Sequence, residues 1–188
     1  MTIKTTCLWL ILIAALISLP VFAQEKVRFN SISMVGLAAG ETGNSALIQT
    51  MNGISFKNWF AGIGLGIDYY KNKTIPLFLD LRVPIAKTNF FVFLDPGYNF
   101  PSKNKPDEKV SFYNTYHFFG GFYSELGIGY KMKIARKSCL LFSSGFSYKE
   151  LNIKTGVGNP CLVGPCPVDY STYEYSYSRI LLKAGVRL

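Results

Sequence analysis

The sequence predicts an all-β fold: an eight-stranded antiparallel up-and-down barrel that crosses a membrane and keeps its lumen filled. Three observations carry this expectation. Apolar residues make up 49% of the chain and charged residues 16%, against about 25% charged in typical soluble domains. No apolar run after Ala23 reaches the roughly 20 residues that a membrane-spanning helix needs. Instead, apolar residues recur with period two over segments of the length a tilted transmembrane strand requires, about 9–11 residues. The 17 glycines, 15 Phe and 12 Tyr favour strands and tight turns over helices. A closed barrel is the non-helical backbone that pairs all its N–H and C=O groups inside lipid.

The first residues read as an address. Lys4 supplies a basic start, Cys7 to Leu19 is an unbroken run of apolar or small residues, and Pro20 ends it. Val21-Phe22-Ala23 then sets small residues three and one positions before Gln24. This is the layout of a cleavable secretory signal, so residues 1–23 are expected to be removed and residues 24–188 to form one barrel domain. No small-residue lipobox leads to Cys7, which argues against a lipid anchor.

The strands follow in order. Val27–Ala39 and Ser45–Phe56 alternate poorly, and Thr50-Met51-Asn52-Gly53 leaves room for a bulge; both segments are still read as strands. In Trp59–Tyr70 the face Trp59, Ala61, Ile63, Leu65, Ile67 and Tyr69 opposes Phe60, Gly62, Gly64, Gly66 and Asp68. Ile75–Ile85 is the clearest, with Ile75, Leu77, Leu79, Leu81, Val83 and Ile85 opposing Phe78, Asp80 and Arg82. In Phe90–Phe100, Val92, Leu94 and Tyr98 oppose Phe93, Asp95, Gly97 and Asn99. Tyr116–Ile134 sets Phe118, Phe122, Leu126, Ile128 and Tyr130 against His117, Gly121, Glu125, Gly127 and Lys131. Leu140–Tyr148 and the closing segment around Ile180–Leu188 complete an even count of eight, the pattern of bacterial single-chain barrels.

Connectors and aromatics agree with this reading. Short turns (Phe56–Asn58, Ala86–Asn89, Ala135–Ser138) alternate with connections that include all the long loops (Gly40–Asn44, Tyr70–Thr74, Pro101–Phe112, Thr155–Thr172). Membrane barrels of bacteria turn their short connections to the periplasm and their long ones outward. Tyr69, Tyr98, Phe100, Tyr116, Tyr148, Tyr173, Tyr175 and Tyr177 gather near the long-loop ends, and Phe56, Trp59, Phe90 and Tyr130 near the short turns. Two such girdles mark the headgroup levels of a bilayer.

The polar face carries Asp68, Asp80, Arg82, Asp95, Glu125, Lys131, Lys133, Lys149, Arg179, Lys183 and Arg187. Charges are costly against lipid, so these side chains are assigned to the lumen. An eight-stranded barrel is only wide enough to be filled by its own side chains. A paired ionic network of Asp68, Asp80, Arg82, Asp95, Glu125, Lys131, Arg179 and Lys183 is therefore expected, not an open channel. His117, the single histidine, is assigned a structural place on the same inward face. Cys161 and Cys166 flank Gly164-Pro165 in the longest loop and are expected to form a disulfide after export. With no further Cys or His nearby, no metal site is expected, and no cofactor. Cys139 is left as a buried, inert thiol. The lysines of the loops, among them Lys71, Lys73, Lys103, Lys105 and Lys109, are read as solvated. A formal net charge of +9 invites a nucleic-acid reading, but the basic residues are dispersed and the leader exports the chain, so no nucleic-acid partner is expected.

On this pattern the chain resembles the small eight-stranded outer-membrane barrels, the OmpA/OmpX-like group, and specifically the minimal barrels common in Bacteroidota. The resemblance covers the whole segment after the leader and rests on pattern instead of a diagnostic motif. It departs from such families at Lys183-Ala184-Gly185-Val186-Arg187-Leu188, where the terminal aromatic read by the barrel-assembly machinery is replaced by leucine. With the chain ending at Leu188, no cell-wall-binding domain is expected to follow. The resemblance implies the bacterial outer membrane as location. Its implied partners are membrane lipid and lipopolysaccharide, the assembly machinery during biogenesis, and an unidentified ligand at the loops. A non-enzymatic structural or loop-binding role, with no catalytic residue, is the leading expectation. A lipid-modifying enzyme is the alternative. Small barrels of that kind use His with Ser or an acid, and here Phe118 and Phe119 follow His117, while Ser124 lies seven residues along, roughly 23 Å of strand. A secreted soluble barrel carrying an apolar ligand is a third reading, and it would need the apolar face turned inward.

Overall fold

The computed structural model describes residues 27–41, 43–102, 114–135, 138–158 and 168–188. The expected leader, the Cys161/Cys166 pair and the lysines between 103 and 110 lie outside them. Eight strands follow one another: β1 (Arg28–Gly40), β2 (Gly43–Phe56), β3 (Trp59–Asp68), β4 (Thr74–Pro84), β5 (Phe90–Pro101), β6 (Asn114–Lys133), β7 (Cys139–Gly158) and β8 (Val168–Arg187). Each pairs antiparallel with the next, and β8 closes on β1 through pairs running from Ile32–Arg187 to Gly40–Arg179. Closure leaves the main ring of strands without an open edge.

The period-two pattern sorts into two environments. On β4, Leu77, Leu79 and Leu81 are exposed on the outside while Phe78, Asp80 and Arg82 are buried inside. The same parity holds on β3, where Ile63 and Leu65 face out and Phe60 and Asp68 face in, and on β5, where Val92, Leu94 and Tyr98 oppose Phe91, Phe93, Asp95 and Asn99. The outer surface is thus ringed by large apolar side chains, Leu79 being 55% and Ile128 56% exposed. Small inward residues make room for rings: a Cβ on Gly64 would lie 2.3 Å from the Phe78 ring, and one on Gly129 would lie 2.2 Å from Phe91. Lys57 and Ala86 adopt left-handed φ of 56° and 47° in the turns after β2 and β4.

Four features differ from the sequence reading. The pairing of β2 with both neighbours runs without interruption through Thr50–Gly53, so no bulge lies there. The bulge is in β6 instead, where Gly121 and Phe122 together face the single residue Glu150, because Gly120 pairs with Leu151 and Tyr123 with Lys149. One extra residue reverses the faces of everything before it. Phe118 consequently packs inward against Tyr70, Leu151 and Tyr177, while His117 and Phe119 are exposed. The inward placement expected for His117 is therefore corrected, and so is the outward placement of Phe118.

The other two differences concern the loop end. Tyr177 is buried in the lumen against Tyr70 instead of joining an outer girdle. The connection after β1 consists only of Glu41 and Thr42, while β6, β7 and β8 each run for 20 residues. Residues 168–178 of β8 pair with β7 alone, as do residues 114–120 of β6. A three-stranded extension therefore rises above one side of the rim, and its β7 and β8 strands run into the segment Thr155–Thr172 expected to be a loop. Alternating Tyr173, Tyr175 and Tyr177, opposite Ile153, Leu151 and Lys149, give that stretch its strand character.

Candidate functional site

The candidate site is the lumen. Four carboxylates (Asp68, Asp80, Asp95, Glu125) and four cations (Arg82, Lys149, Arg179, Lys183) are buried there. They sort into three groups along the axis. Nearest the loop end, Asp68 on β3 accepts from Arg179 Nη1 on β8 and, at 3.3 Å, from Lys149 Nζ on β7. The Asp68 carboxylate also accepts the backbone N–H of Tyr70 at 2.8 Å. Lys149 completes its coordination on Thr74 Oγ1 at 2.9 Å and on the carbonyls of Tyr70 and Asn72. Arg179 donates its other terminal nitrogen to Ser147 Oγ at 2.7 Å and lies with its guanidinium 5.1 Å from the centre of the Tyr70 ring. Above this group the Tyr70 and Tyr177 rings meet edge to face at 5.7 Å, and Leu151 and Phe118 pack beside them. These side chains form an apolar cap.

The middle group centres on Lys183. Its ammonium donates to Glu125 and, at 3.1 Å, to Gln49 Oε1, and it stands 3.6 Å from Asp95. Tyr123 donates its hydroxyl to the same Glu125 carboxylate, and Gln49 Nε2 donates to both Tyr123 and Glu125 at 3.0 and 3.2 Å. Three strands, β2, β6 and β8, thus converge on one carboxylate. The Lys183 ammonium also sits 4.6 Å from the centre of the Phe93 ring. Asp95 accepts no hydrogen bond from a described residue, so its charge is met by Lys183 alone in direct contact.

The third group, toward the chain termini, is the pair Asp80–Arg82. Arg82 Nε donates to both Asp80 oxygens at 2.9 Å and Nη2 to Oδ2 at 2.7 Å, a forked arrangement on alternate residues of one strand. Between and around these groups pack Ile32, Met34, Met51, Phe60, Phe78 and Phe91. Polar contacts and ring packing together fill the interior.

Seven of the eight residues assigned to an inner ionic network from the sequence are in these groups. Lys131 is not. It sits half-exposed at the terminal mouth and makes no ion pair with a described residue. Sequence reasoning left Gln49 and Tyr123 out, although Tyr123 shares its parity with Glu125, and Lys149 was placed on the inward face but not in the network. Lys133 is exposed at the end of β6, and Cys139 is a free, partly exposed thiol. Among the described residues no group of three or more His, Cys, Asp or Glu is placed to hold a metal ion.

Fold and lumen define a class of protein: a closed eight-stranded barrel, apolar outside and ionic within. Neither a protein-family model nor a curated protein matches the chain. Among solved structures it is similar to the solid-state NMR structure of outer membrane protein AlkL in DMPC lipid bilayers. That likeness has a TM-score of 0.48 and 12% sequence identity, over 86% of this chain and 87% of that chain.

Proposed function

We propose that this chain is a non-enzymatic integral protein of a bacterial outer membrane, a plugged barrel that presents its long-loop end to the exterior. The observation that carries the reading is the inversion of the usual protein plan. Leucine, isoleucine and phenylalanine ring the surface, and eight charged side chains occupy the centre. An apolar exterior of this extent is far larger than the few hundred Å² that soluble monomers expose. Its height fits too. Ile75 to Ile85 spans roughly 33 Å of strand, which becomes about 25 Å along the axis at the usual tilt of about 40°, the height of the apolar band of such barrels.

The filled lumen supports a structural or contact role over conduction. Ion pairs, the Tyr70–Tyr177 cap and the apolar packing around Phe78 and Phe93 leave the axis occupied. The extension of β6, β7 and β8, with Tyr170, Tyr173 and Tyr175 exposed, is the surface offered to an outside ligand. Membrane lipid and lipopolysaccharide would surround the belt, and the barrel-assembly machinery would insert it. Fractionation tests the placement. The protein should stay with outer membranes through alkaline carbonate washing, dissolve only in detergent, and migrate differently in gels before and after boiling. Recovery from plain buffer as a soluble monomer would falsify the reading.

A further inference from the structure

The lumen charges balance, but the mouth nearest the chain termini does not. A pocket opens there between the ends of β1, β3, β4, β5, β6, β7 and β8, lined among others by Arg82, Lys131, Arg187, Asn58 and Asn89, and no carboxylate lines it. Arg187 spends one nitrogen on Ser55 Oγ at 2.7 Å. Lys131 meets no counter-ion among the described residues. Arg82, 6% exposed, is forked onto Asp80 through Nε and Nη2, but its Nη1 is buried without a hydrogen-bond partner. A buried guanidinium N–H left unmade is costly, because a donor on a charged group forfeits its solvation. Outside the pocket, Arg28, Lys57, Lys87 and Lys133 are exposed at the same end. The described side-chain carboxylates lie deeper in the lumen or toward the loops, and the backbone carboxyl of Leu188 is tied to the Ser31 N–H at 3.1 Å on the β1–β8 seam. A field so dominated by one sign concentrates anions at the opening.

We propose that this mouth is a binding site for a phosphate-type oxyanion, held by Lys131, Arg187 and the free N–H of Arg82. Arginine forks and a lysine ammonium are the side chains that match such an anion, and their hydrogen bonds to it are charge-assisted. The mouth lies where a membrane-embedded barrel meets headgroups, so the same phosphate chemistry is supplied by a free ion or by a lipid headgroup.

The test uses the leaderless chain refolded in a maltoside detergent that carries no phosphate. Backbone amide signals of Asn58, Asn89 and Lys131 are followed by NMR while inorganic phosphate is titrated against chloride at fixed ionic strength. The Lys131 N–H already donates to the Asn89 carbonyl at 2.9 Å, so both report on the mouth. Saturable shifts with phosphate and not chloride are expected. Lys131→Gln, at a half-exposed position that leaves folding intact, should weaken binding about tenfold, the worth of one charge-assisted contact. Arg187→Gln should act likewise, and the unboiled gel mobility of each variant verifies its fold. A second arm places the protein in phospholipid nanodiscs without free phosphate. Amide signals already at the bound position, and unmoved by added phosphate, assign the occupant as a headgroup; signals at the free position that move on titration assign it as the free ion. Equal response to chloride, no saturation, or wild-type affinity in both variants would overturn the site. Failure here leaves the membrane placement untouched, since fractionation reads that separately.

Discussion

Lys183→Met isolates the contribution of the buried charges. Methionine keeps the length of the stem and removes the ammonium, which strands Glu125 and Asp95, both fully buried. Removing one partner of a buried ion pair costs about 3–5 kcal/mol, because the remaining charge stays desolvated. Here two carboxylates lose their cation, and the one at 3.6 Å had a gross attraction to it of about 4–5 kcal/mol at an effective dielectric of 20. The expected loss is therefore at the top of that range, about 5 kcal/mol, comparable to the whole stability of a modest domain. Urea titration in lipid vesicles reads it through Trp59, 56% exposed on the outer face at the turn end. The double variant Lys183→Met with Glu125→Gln should recover about 2–3 kcal/mol, the coupling that contacting residues show. A loss below about 1 kcal/mol, the range of solvent-screened pairs, would mean that water reaches Lys183 and that the lumen is not packed as described.

Other perturbations test separate parts of the reasoning. Gly64→Ala forces the Phe78 ring from its seat 2.3 Å from the new Cβ and should destabilise by about 1–3 kcal/mol, measured by the same titration. Leu79→Arg places a charge on the outer face at mid-height and should cost about 2–4 kcal/mol in lipid; an effect near zero would place water there instead. Glu150→Gln weakens the carboxylate that accepts the Phe122 N–H of the bulge at 3.3 Å and the Tyr148 hydroxyl at 3.0 Å; a loss of about 1 kcal/mol is expected, with the barrel still closed. In planar bilayers the wild-type protein should show no steady conductance, and discrete open steps would contradict the filled lumen.

Legibility followed contrast between the two faces. On β3, β4 and β5 apolar and polar residues alternate cleanly, and Asp68, Asp80, Arg82 and Asp95 could be assigned to one side. On β1 and β2 the contrast is lost because the inward side is itself apolar, with Ile32, Met34, Leu47 and Met51 buried, while Ser33, Thr50 and Asn52 sit outside. Those outward polar residues, and no bulge, blurred the pattern. The bulge in β6 was hidden for the opposite reason. Phe118, Phe119, Phe122 and Tyr123 are aromatic on both sides of Gly120-Gly121, so a reversal of faces leaves no change in composition. The extents of β7 and β8 were underestimated because Thr155–Thr172 is rich in turn formers, although the tyrosines beyond it favour strand. The loop-end group needed Lys149 and Tyr70 brought together from β7 and the β3–β4 connection, a pairing that no local spacing encodes.

The inner charges do more than fill space, since they select the register. Sliding β4 by one residue would carry Asp80 and Arg82 to the outside and Leu79 and Leu81 into the lumen. On the proposed membrane placement each displaced charge meets lipid at about 2–4 kcal/mol near mid-height, less for the acid, and each abandoned partner remains buried and unpaired. The groups also act on one another: Asp95 lies within the fields of Lys183, Asp80, Glu125 and Arg82, so a slip in one strand disturbs charges held by the others. The one reversal among the described residues, in β6, occurs at Gly120–Tyr123. The ionic groups lie on the terminal side of it, and on its loop side β5 no longer pairs with β6. There the strands answer to the Tyr70–Tyr177 cap instead, and Phe118 serves that cap from the face the bulge gives it. Phe118→Ser should therefore destabilise the loop end more than Phe119→Ser, which is 51% exposed; hydrogen exchange of the Leu151 and Tyr177 amides reads the difference, and the reverse order would show that the faces are not exchanged.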